Sequence, residues 1–311
     1  MAGYEKVTVI GAGLMGHAIA LVHAMAGCEV TLCDLSQERL DWARARLEDL
    51  AQSGNTGVAE APEALARIGY AVDLAGAVAG ADLVVEAIVE DAEAKRALFD
   101  QLAGLVRADA VIASNTSFLD IFPLVPQALS SRTLIVHWYT PPYLIDLVDV
   151  VPAPEADPGL AARMVEFLRA MGKKPVLLRK FVPGYIANNV QMAIEAEVFR
   201  LLDAGVAEVG DIDDAIRFGL AQRLCLMGQF RKIDYTGLQV VRDIHAAGLY
   251  TPPVQPTGTS RLDSLLAEGA SGLLAGRGFY DYDAAPSDYL DRRDRNLLRL
   301  RAALEGLDDG L

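Results

Sequence analysis

Val7-Thr-Val-Ile-Gly-Ala-Gly-Leu-Met-Gly-His17, followed by an acid at Asp34, decides how the chain is read. Val7, Val9 and Ile10 form a short β-rich run that enters a glycine turn, and Leu14 to Ala26 carries enough Leu, Met, Ala and Ile for a buried helix. Gly27 stops that helix, and Glu29 to Cys33 is a second β-rich run that ends on Asp34. Strand, turn, helix and strand fit the roughly 30 residues of a βαβ unit. Gly11 permits the tight turn, Gly13 lets the backbone approach a pyrophosphate, and Gly16 lets the helix pack on the strand, while the free N–H groups of the helix start attract phosphates. Asp34 stands where a carboxylate accepts both ribose hydroxyls of adenosine and repels a 2′-phosphate, so NAD is favoured over NADP. A bare GxGxxG also marks ordinary glycine-rich turns; the flanking strand and helix and the acid at the expected distance favour the dinucleotide.

At 311 residues the chain has the length of about two domains. Hydrophobic content of 52% and charged content of 23% describe an ordinary globular protein. No apolar run approaches the roughly 20 residues needed to span a bilayer, and no basic segment followed by an apolar core opens the chain, so a cytoplasmic protein without membrane attachment is expected. Three cysteines, Cys28, Cys33 and Cys225, lie in apolar contexts, which predicts buried thiols in a reducing compartment and neither a disulfide nor a metal site. The formal charge of −14 argues against nucleic acid and anionic membranes as partners. An anionic substrate would then need a locally basic pocket.

After Asp34, Ser36 is a fair helix N-cap, and Leu40, Ala43, Leu47 and Leu50 recur at helical spacing. A polar break at Gln52–Gly57 precedes a second helical piece with Pro62 and Leu65; Arg67 to Asp73 then leads to a short helix around Ala75–Ala79. Leu83-Val-Val-Glu-Ala-Ile88 is a continuous apolar run of the kind found in central parallel strands, and Asp91 to Val106 reads as a helix. Val111–Ser114 and Leu134–Val136 are further strands, and polar residues at Glu90, Asn115–Ser117 and His137 stand just beyond strand ends, where open parallel sheets hold ligands. Tyr143 to Val151 and Lys174 to Leu178 add β-like runs, completing a first domain at residues 1–182. The fold class is α/β: a Rossmann-type doubly wound parallel sheet, followed at 183–311 by an all-helical domain. In the second part Ile186, Val190, Ile194, Val198 and Leu201 make one apolar stripe and Asp211 to Phe218 starts another helix; Pro252, Pro253 and Pro256 mark a loop, Leu262 to Leu266 a short helix and Ser287 to Leu304 an amphipathic tail.

Among four histidines, His17 and His23 lie on the first helix, where a core or surface imidazole is the plain reading, and His245 has no catalytic context. His137 terminates a strand, and Asp149 meets it if the Pro141-Pro142 segment turns the chain back. An imidazole can take the proton of a substrate alcohol near neutral pH, and a carboxylate behind it fixes the tautomer and stabilises the imidazolium. Spacing alone leaves this pair open, since His and Asp are common beside strands.

Gly11-Ala-Gly-Leu-Met-Gly16, Val85-Glu-Ala-Ile-Val-Glu90 with Lys95, Ser114-Asn-Thr-Ser117, His137 with Leu147-Val-Asp-Val150, Pro183-Gly-Tyr-Ile-Ala-Asn188 and Gly276-Arg-Gly-Phe-Tyr280 occur in one order. Over nearly its whole length the chain thereby resembles the 3-hydroxyacyl-CoA dehydrogenase superfamily. The resemblance implies that His137 is the general base, accepting the hydroxyl proton while hydride leaves the same carbon for the nicotinamide. Asp149 takes the place of a partner carboxylate that is normally glutamate, so its carboxylate stands one methylene further off unless the backbone is closer. Ser117 and Asn188 match polar residues around the substrate carbonyl. Leu14, Met15, Asn115 and Ser117 join the glycines and Asp34 as cofactor contacts, and Glu90 and Lys95 match groups near the nicotinamide ribose, or else form an exposed ion pair at a helix start. Thr140 stands where the family has an asparagine, a donor of shorter reach, and Leu274 replaces a lysine, so one cofactor contact is absent.

Members using CoA esters hold the nucleotide with a basic helical hairpin after the second strand. Residues 37–79 here carry Arg39, Arg44, Arg46 and Arg67 but no lysine, against Glu38, Asp41, Glu48, Asp49, Glu60, Glu63 and Asp73. A unit-charge pair at 4 Å near a surface is worth roughly 4 kcal/mol before screening, so this balance disfavours several phosphates. Gly219–Met227 is similar to the branch acting on free hydroxy acids, such as L-gulonate 3-dehydrogenase of the lambda-crystallin type and a pyridine-carboxylate alcohol dehydrogenase. There Arg223 matches a basic residue that can bind a carboxylate through two parallel hydrogen bonds, with Arg231 and Lys232 assisting; a helix-surface arginine is the plain alternative. The expectation is an NAD-dependent dehydrogenase of a free 3-hydroxy or keto acid, working as a homodimer through its helical domain. A 3-hydroxyacyl-CoA dehydrogenase, a dehydrogenase of a primary alcohol on an aromatic acid and a noncatalytic NAD-binding structural protein are the alternatives. Tyr185, Phe230, Tyr235 and Trp138 either line a pocket or fill a core.

Overall fold

A computed structural model describes residues 3–54, 56–57, 61–253, 260–305 and 307. The chain divides into two compact units, Met1–Tyr185 and Ile186–Leu311. In the first unit, eight strands are present among the described residues: β1 (Lys6–Ile10), β2 (Glu29–Cys33), β3 (Ile68–Ala71), β4 (Leu83–Glu86), β5 (Val111–Ser114), β6 (Thr133–Trp138), β7 (Leu147–Pro152) and β8 (Lys174–Leu177). They form one sheet in the order β3-β2-β1-β4-β5-β6-β7-β8. All neighbours are parallel except β6 and β7, which run antiparallel. The order turns around between β1 and β4, and a doubly wound sheet opens its ligand crevice at that reversal.

Helices α1 (Gly16–Met25), α2 (Gln37–Ser53), α3 (Ala61–Ala64), α4 (Leu74–Val78), α5 (Ala92–Leu105), α6 (Gln127–Ser130) and α7 (Leu160–Ala170) complete this unit. Their ends follow local chemistry. Ser36 accepts a hydrogen bond from Arg39 N at the start of α2, and Asp91 from Ala94 N at the start of α5. Gly54 closes α2 in the left-handed region at φ 69°. Ile10, Val84, Leu98, Phe99, Ile112 and Ile135 join sheet and helices into one buried cluster.

Four details depart from the reading of the sequence. Helix α1 begins at Gly16, leaving Leu14 67% exposed in the turn ahead of it. The Arg67–Asp73 stretch contains strand β3, whose Ile-Gly-Tyr-Ala run is too short to announce itself at a sheet edge. The run beginning at Tyr143 becomes a strand only at Leu147, after a turn with a cis Thr140–Pro141 bond. Helix α7 was not singled out by periodicity.

The second unit is helical: α8 (Ala187–Asp203), α9 (Val209–Asp214), a π-helical stretch over Ala215–Ala221, α10 (Gln222–Thr236), α11 (Leu238–Ala246), α12 (Ser260–Ala267) and α13 (Pro286–Glu305). Gly228, at φ 67°, breaks α10 into two segments. Cys225 is exposed, against the expectation of a buried thiol, whereas Cys28 and Cys33 are buried. Phe230 and Tyr235 are 85% and 67% exposed, so neither fills a core in this chain, while Trp138 and Tyr185 are buried. Pro252 and Pro253 fall in a loop; Pro256 and Glu60 lie outside the described residues.

Candidate active site

At two positions the glycine turn between β1 and α1 admits only glycine. A side-chain carbon on Gly11, at φ +102°, would come within 2.5 Å of the Ala87 carbonyl oxygen, and one on Gly16 within 1.6 Å of the Gly11 oxygen. Gly13 faces open ground, with nothing closer to such a carbon than an Arg39 nitrogen at 3.8 Å. Asp34 is tethered from two sides, its Oδ2 accepting from Ala12 N at 2.8 Å and its Oδ1 from Ser36 N at 2.9 Å. Beside it a cavity of about 330 Å³ is lined by Gly11, Asp34, Leu35, Leu74, Ile88 and Leu98, among others. An unobstructed helix start, a held carboxylate and an apolar slot next to both suit a dinucleotide's pyrophosphate, ribose and adenine. His17 supports the turn from behind: its Nδ1 lies 2.7 Å from the Gly13 oxygen, and burial lowers its proton affinity from the ordinary histidine range.

The antiparallel register of β6 and β7 places His137 directly opposite Asp149. Both are buried, at 4% and 1% exposure. His137 Nδ1 stands 3.4 Å from Asp149 Oδ2, and its Nε2 stands 3.1 Å from Ser117 Oγ. With the carboxylate as acceptor, Nδ1 carries the proton and Nε2 presents its lone pair to a hydroxyl. The ring touches two tyrosines, Tyr139 edge-on at 4.6 Å and Tyr185 tilted at 4.7 Å between ring centres. Tyr185 adopts φ 51°, a left-handed conformation uncommon for a bulky residue, and its hydroxyl donates to the Thr116 carbonyl at 2.5 Å. Burial, reinforced by the negative charges of Glu90 and Asp149, pushes the Tyr185 phenol well above its usual range, so it stays protonated.

Glu90 holds the loop after β5. Its Oε1 accepts from the Thr116 hydroxyl and from the N–H groups of Ser117, Phe118 and Leu119 at 2.8–3.2 Å. Burial alone would raise its proton affinity, but the hydrogen bonds from Phe118 and Thr116 and the charge of Lys95 hold the carboxyl below its ordinary range. Asn115 Oδ1 accepts from Trp138 N at 2.9 Å, tying the end of β5 to β6. Ser117 is thereby delivered to His137 by a loop whose N–H groups are held by Glu90.

Lys95 is not the exposed ion pair that its place at a helix start allowed. Its ammonium is 1% exposed, 2.6 Å from Glu86 Oε1 and 3.4 Å from Glu90 Oε2. Glu86 is wholly buried and also accepts from Ile88 N at 2.9 Å and the Ser114 hydroxyl at 2.5 Å. Lys95 is therefore a buried brace between β4, the loop after it and α5, and not an exposed ion pair. Thr140 is exposed, and its hydroxyl lies 2.9 Å from the Met15 sulfur. The remaining sequence candidates belong to the second unit: Asn188 is half-buried in the first turn of α8, Arg223 is exposed on α10 with Nε donating to the Gly219 oxygen at 2.9 Å, and Arg231 is exposed on the same helix.

Tyr139 escaped the reading of the sequence, and its hydroxyl donates to Asp149 Oδ2 at 2.7 Å. No local pattern marked it, because Tyr139 stands one residue beyond the end of β6 and meets Asp149 only across the β6–β7 pair.

Comparison with known proteins gives the family. The sequence pattern described as 3-hydroxyacyl-CoA dehydrogenase, NAD binding domain, matches residues 6–181, and that described as 3-hydroxyacyl-CoA dehydrogenase, C-terminal domain, matches residues 184–282. The mitochondrial hydroxyacyl-coenzyme A dehydrogenase of Sus scrofa is 35% identical over 292 residues, covering 89% of this chain and 91% of its own. The 5-formyl-3-hydroxy-2-methylpyridine 4-carboxylate 5-dehydrogenase of Mesorhizobium japonicum is 27% identical over 310 residues, 97% of this chain and 99% of its own. A crystal structure of a dehydrogenase of that name, described as an NAD+ dependent dismutase, superposes with a TM-score of 0.86 at 26% identity, over 97% of this chain and 99% of that one. The chain belongs to the 3-hydroxyacyl-CoA dehydrogenase family and is an NAD-dependent oxidoreductase acting on CH–OH groups.

Proposed function

We propose that this enzyme oxidises the hydroxyl group of a free hydroxy acid, or reduces the matching carbonyl, with His137 as general base. Bound NAD supplies the hydride acceptor. Gly11, Gly13, Leu14, Met15 and Gly16 would hold its pyrophosphate and Asp34 its ribose, with Asn115, Ser117 and Glu90 toward the nicotinamide end. His137 Nε2 takes the alcohol proton, Asp149 keeps the ring in the tautomer that can do so, and Ser117 gives a hydrogen bond to the oxygen as negative charge develops on it. Asn188 and Thr140 serve as further donors to that oxygen or its neighbours. The observation that carries the catalytic reading is the chain of contacts from Ser117 Oγ through His137 to Asp149.

For the substrate, the charge balance of residues 37–79 supports a free acid over a CoA ester. Of its arginines, Arg44 stacks on the Tyr70 ring at 4.4 Å, and α2 carries Glu38, Asp41, Glu48 and Asp49 on the same short helix. The likeness over almost the full length of the pyridine-carboxylate dehydrogenase supports the same class, with Arg223 and Arg231 as the candidate carboxylate anchors. The 35% identity to a hydroxyacyl-coenzyme A dehydrogenase favours a second reading, a CoA ester substrate. NADH formation with free 3-hydroxy acids, hydroxymethyl-substituted aromatic acids and 3-hydroxybutyryl-CoA separates them. Arg223→Ala should raise KM for the free acids; faster turnover of the CoA ester, untouched by Arg223→Ala, overturns the free-acid reading. His137→Ala should lower kcat by about 10²–10⁴ with NADH affinity retained.

The domains divide as 1–182 for cofactor and 183–311 for substrate and assembly. A homodimer through the second part is supported by its unmet apolar surface: among its described residues only Tyr185, Ala196, Leu265 and Ala270 are buried hydrophobics, while Val190, Phe218, Leu238, Ile244 and Leu249 are each more than half exposed. Free thiols at Cys28, Cys33 and Cys225 suit the reducing cytoplasm.

A further inference from the structure

The contact between His137 and Asp149 is long for its purpose. An N–H···O hydrogen bond is ordinarily 2.7–3.2 Å, and His137 Nδ1 to Asp149 Oδ2 measures 3.4 Å although the two residues are direct partners in the antiparallel ladder. The same oxygen is held far more firmly from another side, where the Tyr139 hydroxyl donates to it at 2.7 Å. A hydroxyl on a carboxylate at that length is a charge-assisted bond, about twice as strong as a neutral one. Tyr139 also lies edge-on against the imidazole, with ring centres 4.6 Å apart and planes at 75°, so one side chain touches both members of the pair.

We infer that Tyr139 is a positioning residue: it holds the Asp149 carboxylate at the depth from which it can orient His137, making good the reach that the short aspartate side chain lacks. Its ring limits rotation of the imidazole while its hydroxyl fixes the carboxylate, so the His137 tautomer depends on Tyr139 as well as on Asp149. A carboxylate one methylene longer closes the gap to Nδ1 by itself, and Tyr139 then loses its importance. Register sets the approach of His137 and Asp149, which are opposite each other in the β6–β7 ladder, and Tyr139 follows immediately after the end of β6.

This role rests on His137 being the general base, and the experiment separates the two. Parent, His137→Ala, Tyr139→Phe, Asp149→Glu and the double variant Tyr139→Phe/Asp149→Glu are assayed for kcat and for NADH affinity by fluorescence. Loss of a hydrogen bond to a charged group corresponds to roughly 10-fold to 100-fold in rate. Tyr139→Phe should therefore lower kcat by about 10-fold to 100-fold, with NADH affinity within about twofold of the parent. In the Asp149→Glu background, which should turn over, the same substitution should cost less than about threefold. Full activity in His137→Ala defeats the underlying reading. With His137→Ala inactive, any of three results defeats the inference alone: no effect of Tyr139→Phe, an equal loss in both backgrounds, or an Asp149→Glu enzyme that folds and does not turn over. If Asp149→Glu does not fold, the kcat of Tyr139→Phe at unchanged NADH affinity decides.

Discussion

Replacing Lys95 with methionine should cost the first unit much of its stability while leaving cofactor affinity intact. The ammonium is 1% exposed and neutralises Glu86, which is 0% exposed, across 2.6 Å. Removing one member of a buried pair leaves an uncompensated charge, and such substitutions cost about 3–5 kcal/mol. For a unit the size of Met1–Tyr185, each kcal/mol lowers the melting temperature by roughly 2–4 °C, so a fall of about 10 °C is expected. The double variant Glu86→Gln/Lys95→Met should regain most of it, because the neutral amide keeps an acceptor for Ile88 N without a buried charge. Thermal melts of the three proteins, with NADH titrations well below the transition, make the test. Two results refute the reasoning: a Lys95→Met protein melting within about 2 °C of the parent, or a double variant no better than the single one. A tenfold loss of NADH affinity at unchanged melting temperature would return Lys95 to the cofactor.

Three further outcomes are expected. Burial, only partly offset by the hydrogen bond to the Ile19 oxygen, lowers His23 to about 4. The unfolded chain therefore binds this proton more readily than the fold does below the usual histidine value. The stabilisation is complete above about pH 6.5 and is lost as pH falls toward 4, a change of about 3 kcal/mol. Urea unfolding of His23→Met across that window should show a correspondingly shallower loss, and matching slopes would count against it. Asp34→Ala should weaken NADH binding by about 10-fold to 100-fold, from lost hydrogen bonds to a charged acceptor, and narrow the preference over NADPH; an unaltered NADH dissociation constant would exclude Asp34 from the ribose site. Sedimentation at micromolar concentration should give twice the chain mass of 33.3 kDa, and a monomer there would end the homodimer proposal.

The glycine turn was legible because its constraints are local. A positive φ at Gly11 and a helix pressed onto a carbonyl at Gly16 demand glycine whatever surrounds them. The cap at Ser36 and the apolar strand at Leu83 are local in the same sense. Sequence order also brought His137 to a strand end, but the spacing of His137 and Asp149 left their meeting open. Only the antiparallel reversal after Pro141 and Pro142 puts them opposite each other, and only the geometry shows that the pair is long and that Tyr139 grips the same oxygen. Lys95 is the converse case. A lysine in the first turns of a helix reads as solvent-exposed until tertiary packing buries Glu86 beneath it and turns the ammonium inward. The sequence by itself determined what backbone sterics and periodicity require: the nucleotide turn, the strands that carry polar ends, and the imidazole among them. Which charges face one another, and at what distance, depended on strand register and burial, because those contacts join residues far apart along the chain and no local pattern encodes their separation.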